Sequence, residues 1–250
     1  MAANKNSNAA TATSAKKDAE DIHVATSYDF SLDGTVTLVV GSEQKRMLVH
    51  STYLTCDSDF FKAALKKEWV EGQSHVIKLP EEDPETMAHY MTFVYSDKLP
   101  FDGIEPKKRA HFEARWPVLI NLYVCGEHFL NLVCQDAVIK EIIRLTRIKG
   151  ETGSWWFPTG RVVDTIYCET PEGSRIRRLV VDMHVIRETK AWLSSNVNNP
   201  QFLLDLSEAF YDKIREHDAF VAFRNKELDV GNYLGETAMP VCVKCGEDLY

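Results

Sequence analysis

The chain has 250 residues, of which 44% are apolar and 26% charged, and its formal net charge is −8. This is the composition of an ordinary soluble globular protein, long enough for one large domain or two small ones. Both halves share the acidic excess, so a basic surface for nucleic acid is not predicted. No apolar run reaches the roughly 18 residues that cross a bilayer, and the amino terminus lacks the apolar block of a secretory signal. We therefore expect an intracellular protein, in the cytoplasm or nucleus, with neither membrane nor nucleic acid as its main partner.

The first 26 residues differ in composition from the rest of the chain. They are mostly Ala, Asn, Ser, Thr and Lys, so they cannot bury enough apolar surface to offset the entropy that is lost on ordering. We predict a disordered tail over residues 1–26. A first domain is predicted over 27–148, a helical extension over 149–235 and a flexible carboxy-terminal segment over 236–250.

The first domain opens with segments typical of β-strands. Residues 35–40 (TVTLVV) are rich in β-branched side chains and end at Gly41, and a second short strand is predicted over 46–49 (RMLV). Their spacing predicts a β-hairpin with a loop of several residues. A third strand, 76–79 (VIKL), is closed by Pro80.

One helix is predicted before the third strand and another after it. From His50 the apolar spacing becomes helical, with Ser51 or Thr52 available as the N-cap. Pro84 suits the first turn of the next helix, because its fixed φ matches a helix start. The apolar positions are Leu54, Phe60 or Phe61, Ala64 and Leu65 in the first helix, and Met87, Tyr90, Met91, Val94 and Tyr95 in the second.

A loop followed by a pair of helices is predicted for the middle of the chain. After Pro100, the stretch to Pro117 is predicted as a polar loop that contains the basic run 107–109 (KKR). One helix is predicted from near Pro117 and a second up to Gly150, and we expect them to pack as an antiparallel pair. Their apolar positions are Leu119, Leu122, Tyr123, Phe129 and Leu130, and Val138, Ile139, Ile142 and Leu145.

The extension is predicted to be mostly helical. One helix follows Pro158, a second starts near residue 176 and extends as far as Trp192, and a third follows Pro200. The run 179–181 (LVV) predicts a strand equally well, because β-branched residues lower helix preference.

Several separated motifs occur in a characteristic order. Residues 50–61 have the spacing H-x3-L-x3-S-x2-F between two predicted strands, residues 84–95 read PETMAHYMTFVY, and residues 122–129 read LYVCGEHF. This set resembles the BTB/POZ family. Residues 170–182 are similar to the tail of many fungal BTB proteins. The resemblance implies an α+β fold, in which a small mixed sheet is flanked by helices and followed by a mostly helical extension, and it implies binding to other proteins.

Four residues of the first motif are expected to be structural. The spacing of His50, Leu54 and Phe61 directs them toward the interior of the first helical hairpin, and Ser58 belongs to the same motif. We interpret His50 as a hydrogen-bonded residue at the core rather than a catalyst, because no Ser-His-Asp or Cys-His pairing accompanies it.

The resemblance also suggests a partner. In BTB adaptors, a large apolar residue, any residue and then Glu follow the second helix and dock on the cullin scaffold of a ubiquitin ligase. Trp69 and Glu71 match that pattern, and Tyr123 in the later motif is a further candidate contact. A tryptophan in a partner pocket is a typical hot spot. The alternative is that Trp69 only covers the edge of the core.

No motif of a familiar enzyme is present. The chain has no P-loop, G-x-G-x-x-G, H-E-x-x-H or G-x-S-x-G, so we predict a non-enzymatic protein without a cofactor. Cys242 and Cys245 form a C-x-x-C pair that supplies two of the four ligands of a zinc site, but no second such pair lies nearby. We interpret the pair as incidental and keep a zinc or redox site as an alternative.

Self-association is the main alternative to adaptor function. A homodimer is typical of the family, but the members that regulate transcription carry a charged pocket where this chain has Thr35 and Ser51. The loss of that pocket puts their strand-exchanged dimer and corepressor binding in doubt. The basic runs 107–109 and 175–178 (RIRR) are interpreted as solvated faces rather than as nuclear-import or nucleic-acid patches.

Overall fold

The structure is a computed structural model that describes residues 34–158, 160–187, 199–215 and 230–234. Within these ranges there are three strands, β1 (Thr35–Val40), β2 (Lys45–His50) and β3 (Val76–Leu79). Nine α-helices accompany them: α1 (Ser51–Asp57), α2 (Asp59–Ala64), α3 (Val70–Ser74), α4 (Pro84–Ser96), α5 (Arg109–His128), α6 (Leu132–Thr146), α7 (Arg161–Glu169), α8 (Arg175–Arg187) and α9 (Pro200–Arg215). A 3-10 helix spans Val230–Asn232.

The three strands form one mixed sheet in the order β2-β1-β3. β1 pairs antiparallel with β2 and parallel with β3, so that Leu38 lies opposite Met47 on one side and Ile77 on the other. Val36, Leu38 and Val40 alternate with partly exposed residues and are fully buried, as expected for a strand with one face on the core. The predicted hairpin and third strand are thus confirmed.

The first predicted helix is divided into two short ones, α1 and α2, and the short helix α3 that follows was not predicted. The break lies at Ser58, which has extended backbone angles and whose hydroxyl accepts a hydrogen bond from the Phe61 amide. The predicted N-cap is also wrong, because His50 occupies that position and no side chain caps α1. The next prediction is confirmed: α4 begins at Pro84, and the Asp83 carboxylate caps it by accepting from the Thr86 amide, which lowers the pKa of Asp83.

Helix α5 begins eight residues before the predicted start near Pro117. The stretch that was predicted as a polar loop places Phe112 and Trp116, one turn apart, in the core. Burial of these two aromatic side chains stabilises the extra turns although Pro117 lacks an amide hydrogen for a helical hydrogen bond. Helix α6 packs against α5, as predicted, at Gly126, where an added Cβ would lie 3.3 Å from the Gln135 side chain.

The extension shares its core with the first domain. Helices α7, α8 and α9 contribute to the same cluster of buried side chains as the sheet, and the cluster continues past the predicted boundary at residue 148. Residues 179–181 lie in α8, so the helical alternative is confirmed. Residues 188–198 and the segments predicted as 1–26 and 236–250 fall outside the described residues. In the described parts, no helix is both long and apolar enough to span a bilayer.

Two arginines of the basic run at 175–178, Arg175 and Arg177, are partly buried rather than solvated as predicted, whereas Arg178 is exposed. The Arg175 guanidinium donates to the Asp136 and Gln135 side chains, and Arg177 donates to the Tyr167 carbonyl oxygen. These cations therefore join helices of the extension to each other and to α6.

Candidate protein-interaction site

Trp69 immediately precedes α3, in a segment that runs from the end of α2 into the first turn of α3; we call residues 65–72 the Trp69 loop. Trp69 is 59% exposed, and Val70 next to it is 74% exposed. The side chains of residues 65–69 line an open depression around it. Such exposure of an aromatic residue is unusual for one that only covers a core, because burial of the ring would have stabilised the fold.

Hydrogen bonds fix the backbone of the Trp69 loop. The Trp69 amide donates to the Lys66 carbonyl oxygen at 3.0 Å, and the Gln73 amide donates to the Trp69 carbonyl oxygen at 3.1 Å. The Gln73 side chain donates to the Lys67 carbonyl oxygen, also at 3.0 Å. The exposed indole is therefore carried on a backbone that is ordered before any partner binds.

Gly72 makes this close packing possible. An added Cβ would lie 2.1 Å from the Lys66 carbonyl oxygen and 2.9 Å from that of Leu65, which is closer than nonbonded atoms approach. Only glycine fits against the backbone at this point. Sequence reasoning missed Gly72, because no helix was predicted between residue 65 and the third strand and a lone glycine there gave no signal of close packing.

Glu71 lies in the first turn of α3, two residues after the tryptophan, and is partly exposed. Lys66, Lys67 and Glu68 around it are exposed as well. The Trp69 loop thus presents a large apolar side chain and a carboxylate on one tight turn, which is suitable for a partner with an apolar pocket beside a donor group.

Tyr123 does not belong to this surface. Its side chain is fully buried, and its hydroxyl lies 3.3 Å from the Ser174 hydroxyl. Burial raises the pKa of Tyr123. This corrects the expectation that Tyr123 contacts a partner: its position on α5 turns the ring toward the core that α5 shares with the extension.

The four motif residues lie between the end of β2 and helix α2. Leu54, Ser58 and Phe61 are buried, and the Ser58 hydroxyl donates to the Phe129 carbonyl oxygen at 2.5 Å. His50 is partly buried, at the end of β2, and contacts the Tyr95 hydroxyl. Through its bond with Phe129, Ser58 joins the start of α2 to the end of α5.

The described residues contain no group of three or more His, Cys, Asp or Glu side chains that is arranged to hold a metal ion. Cys242 and Cys245, the candidate zinc ligands, lie outside the described residues. Thr35 lies opposite His50 in the sheet, and the Ser51 amide donates to the Gly34 carbonyl oxygen.

A comparison with known families agrees with this arrangement. Residues 30–111 match the model of the BTB/POZ domain, a stretch that includes the whole sheet and continues into the start of α5. No curated protein matches the sequence. BTB/POZ domains are in general modules for protein–protein interaction and dimerisation rather than enzymes. The mixed sheet, the flanking helices and the family match together show that the chain carries a BTB/POZ domain, followed by a helical extension.

Proposed function

We propose that this BTB/POZ protein binds the amino-terminal region of a cullin scaffold through Trp69 and Glu71, and that it serves as a substrate adaptor of a ubiquitin ligase. The observation that carries the proposal is the 59% exposure of a tryptophan on a fixed loop. The helical extension is then the part that presents or recruits another protein.

The Trp69 loop has the physical properties of an interface hot spot. Tryptophan is among the residues most enriched at hot spots, because one rigid side chain buries a large apolar area. Its backbone is already held by Lys66 and Gln73, so binding orders little more than the ring itself. Glu71 supplies a carboxylate at the spacing that the cullin-binding pattern requires.

A binding assay with an amino-terminal cullin fragment tests the proposal. We expect the purified wild-type chain to bind and Trp69→Ala to lose about 30-fold or more in affinity, which corresponds to about 2 kcal/mol for a hot spot. Glu71→Gln keeps the shape of the side chain and removes its charge, so it should weaken binding less.

Leu48→Ala is the matched control. Leu48 is also 59% exposed, but it lies on β2, away from the Trp69 loop in the sequence. This variant should bind as the wild type does. Absence of measurable binding by the wild-type chain would reject the adaptor proposal.

The same preparation distinguishes the alternatives. Light scattering reports the oligomeric state, and an oligomer that binds no cullin favours a structural self-association domain. Zinc that is found by mass spectrometry and lost in Cys245→Ser favours the metal-site alternative.

A further inference from the structure

Two segments far apart in the sequence form one basic surface. The first is residues 107–109, at the start of α5, and the second is the loop 147–157 between α6 and α7. The Glu151 amide donates to the Lys107 carbonyl oxygen at 2.8 Å, which joins the two segments. The loop also closes on itself, because the Gly150 amide donates to the Ser154 carbonyl oxygen at 2.9 Å.

Two tryptophans line this surface beside cations. The Arg109 guanidinium lies 5.3 Å from the centre of the Trp156 ring, and the Lys149 ammonium lies 4.6 Å from that of Trp155. Both distances suit cation–π attraction. Trp155 is 38% exposed, so part of this residue is accessible to a ligand. An added Cβ at Gly150 would lie 2.9 Å from Trp156 Nε1, so glycine allows the second indole to lie against the loop.

We call Lys107, Lys108, Arg109, Lys149 and Trp155 the basic tryptophan patch. Its four cations are exposed. Among the described residues, the three lysines form no ion pair, whereas Arg109 bonds with Glu113 at 2.6 Å. The loop also carries one exposed carboxylate, Glu151, so the surface has more cations than carboxylates although the whole chain carries −8.

The start of α5 adds to the positive potential. Lys108 is the N-cap residue, no side chain caps the helix, and its first turn contains no acidic residue. Helix starts usually carry Asp, Glu or Ser, which offset the positive end of the helix dipole. Here lysines and an arginine lie at that end and repel one another, so an anion bound at the lysines relieves the repulsion.

We propose that the basic tryptophan patch binds an acidic peptide segment of a partner protein. Aspartate and glutamate side chains of the segment pair with Lys107, Lys108 and Lys149, and an apolar side chain packs on the open part of Trp155. A peptide fits better than a nucleic acid, because a few carboxylates suffice for the three lysines, whereas a long polyanion is repelled by the chain's net charge of −8. This binding is independent of the Trp69 loop and of cullin binding.

Calorimetry with the full chain and a synthetic peptide of Asp and Glu around one central Phe tests the proposal. We expect saturable binding that weakens with added salt, since the contacts lie at the surface. The same peptide with Asn and Gln in place of Asp and Glu should not bind. The double variant Lys107→Glu, Lys108→Glu should lower the affinity about 10-fold or more, because two attractive contacts become repulsive. Trp155→Ala should lower it about 3-fold or more through lost packing and cation–π contact.

The control is the double variant Lys45→Glu, Lys78→Glu. It changes the net charge by the same amount at two exposed lysines of the sheet, and its affinity should stay within about 2-fold of the wild type because distant charges are screened. Circular dichroism verifies that each variant is folded. The proposal is overturned by absence of peptide binding, by equal binding of the Asn and Gln peptide, by an equal loss in the control, or by tighter binding of a single-stranded oligonucleotide.

Discussion

The Tyr95 hydroxyl lies within hydrogen-bond distance of two nitrogens of His50. The His50 backbone amide donates to it at 3.0 Å, and His50 Nδ1 lies 2.8 Å from it. The hydroxyl can accept the amide hydrogen and donate its own hydrogen to Nδ1, so one oxygen satisfies both groups. The histidine of the BTB motif therefore joins the end of β2 to α4.

Tyr95→Phe should weaken the fold slightly without removing the aromatic ring. We expect the free energy of unfolding to fall by about 0.5–1.5 kcal/mol, because the backbone amide and Nδ1 of His50 both lose their hydrogen bond with the hydroxyl. Urea denaturation measures the change. His50→Phe should lower stability as well, and the double variant should cost less than the sum of the two single losses. Strict additivity would show that the two residues act separately.

Gly72→Ala should disturb the Trp69 loop. Because the new methyl group would overlap the Lys66 carbonyl oxygen, we expect a loss of about 1–3 kcal/mol in the free energy of unfolding, as for other overpacked sites. Urea denaturation measures this loss, and cullin binding should weaken together with it. Glu68→Ala is the control in the same loop, since its exposed side chain should contribute less than about 0.5 kcal/mol. Wild-type stability of Gly72→Ala would contradict the close packing.

Arg175→Ala should destabilise the first domain and the extension together. The Arg175 guanidinium bonds with Asp136 Oδ1 at 2.5 Å and with the Tyr233 carbonyl oxygen at 2.9 Å. Asp136 is buried, so the loss of this cation should cost about 3 kcal/mol. Urea unfolding followed by tryptophan fluorescence should show one cooperative transition at lower urea. The exposed Arg161→Ala should unfold as the wild type does, and two separate transitions in Arg175→Ala would show that the core does not join the two parts.

His128 should make stability depend on pH. Its hydrogen bond with the Glu82 carboxylate raises the pKa of His128 above its usual 6.5. Because the folded state holds this proton more tightly than the unfolded state, the contribution is fully present below pH 6.5 and is lost as the pH rises through the raised pKa. The side chain is half exposed, so solvent screens the effect and its size should be small.

Glu82→Gln tests this relationship. In an NMR titration, the pKa of His128 should fall toward its usual value, and the pH dependence of the unfolding free energy just above pH 6.5 should decrease. Glu81→Gln removes a neighbouring exposed carboxylate and should leave the His128 pKa nearly unchanged. An unchanged His128 pKa in Glu82→Gln would mean that the hydrogen bond does not set it.

The elements with regular local patterns were predictable. The β-branched run 35–40 formed β1, and Pro84 after an aspartate started α4, because both signals depend on neighbouring residues alone. The start of α5 was not predictable in this way. Proline usually marks a helix start, and only the burial of Phe112 and Trp116 against the rest of the chain extends the helix before Pro117.

The candidate site also combines features that sequence patterns predict with features that depend on tertiary packing. The sequence by itself determined the BTB motif and the spacing of Trp69 and Glu71, because those are patterns of residue type along the chain. The tertiary structure alone decided that Trp69 is exposed and Tyr123 buried, that Gly72 packs on Lys66, and that Lys107 meets the loop at Glu151. Exposure and contact between distant residues depend on how the helices pack, and that packing results from many long-range contacts that local residue patterns do not reveal.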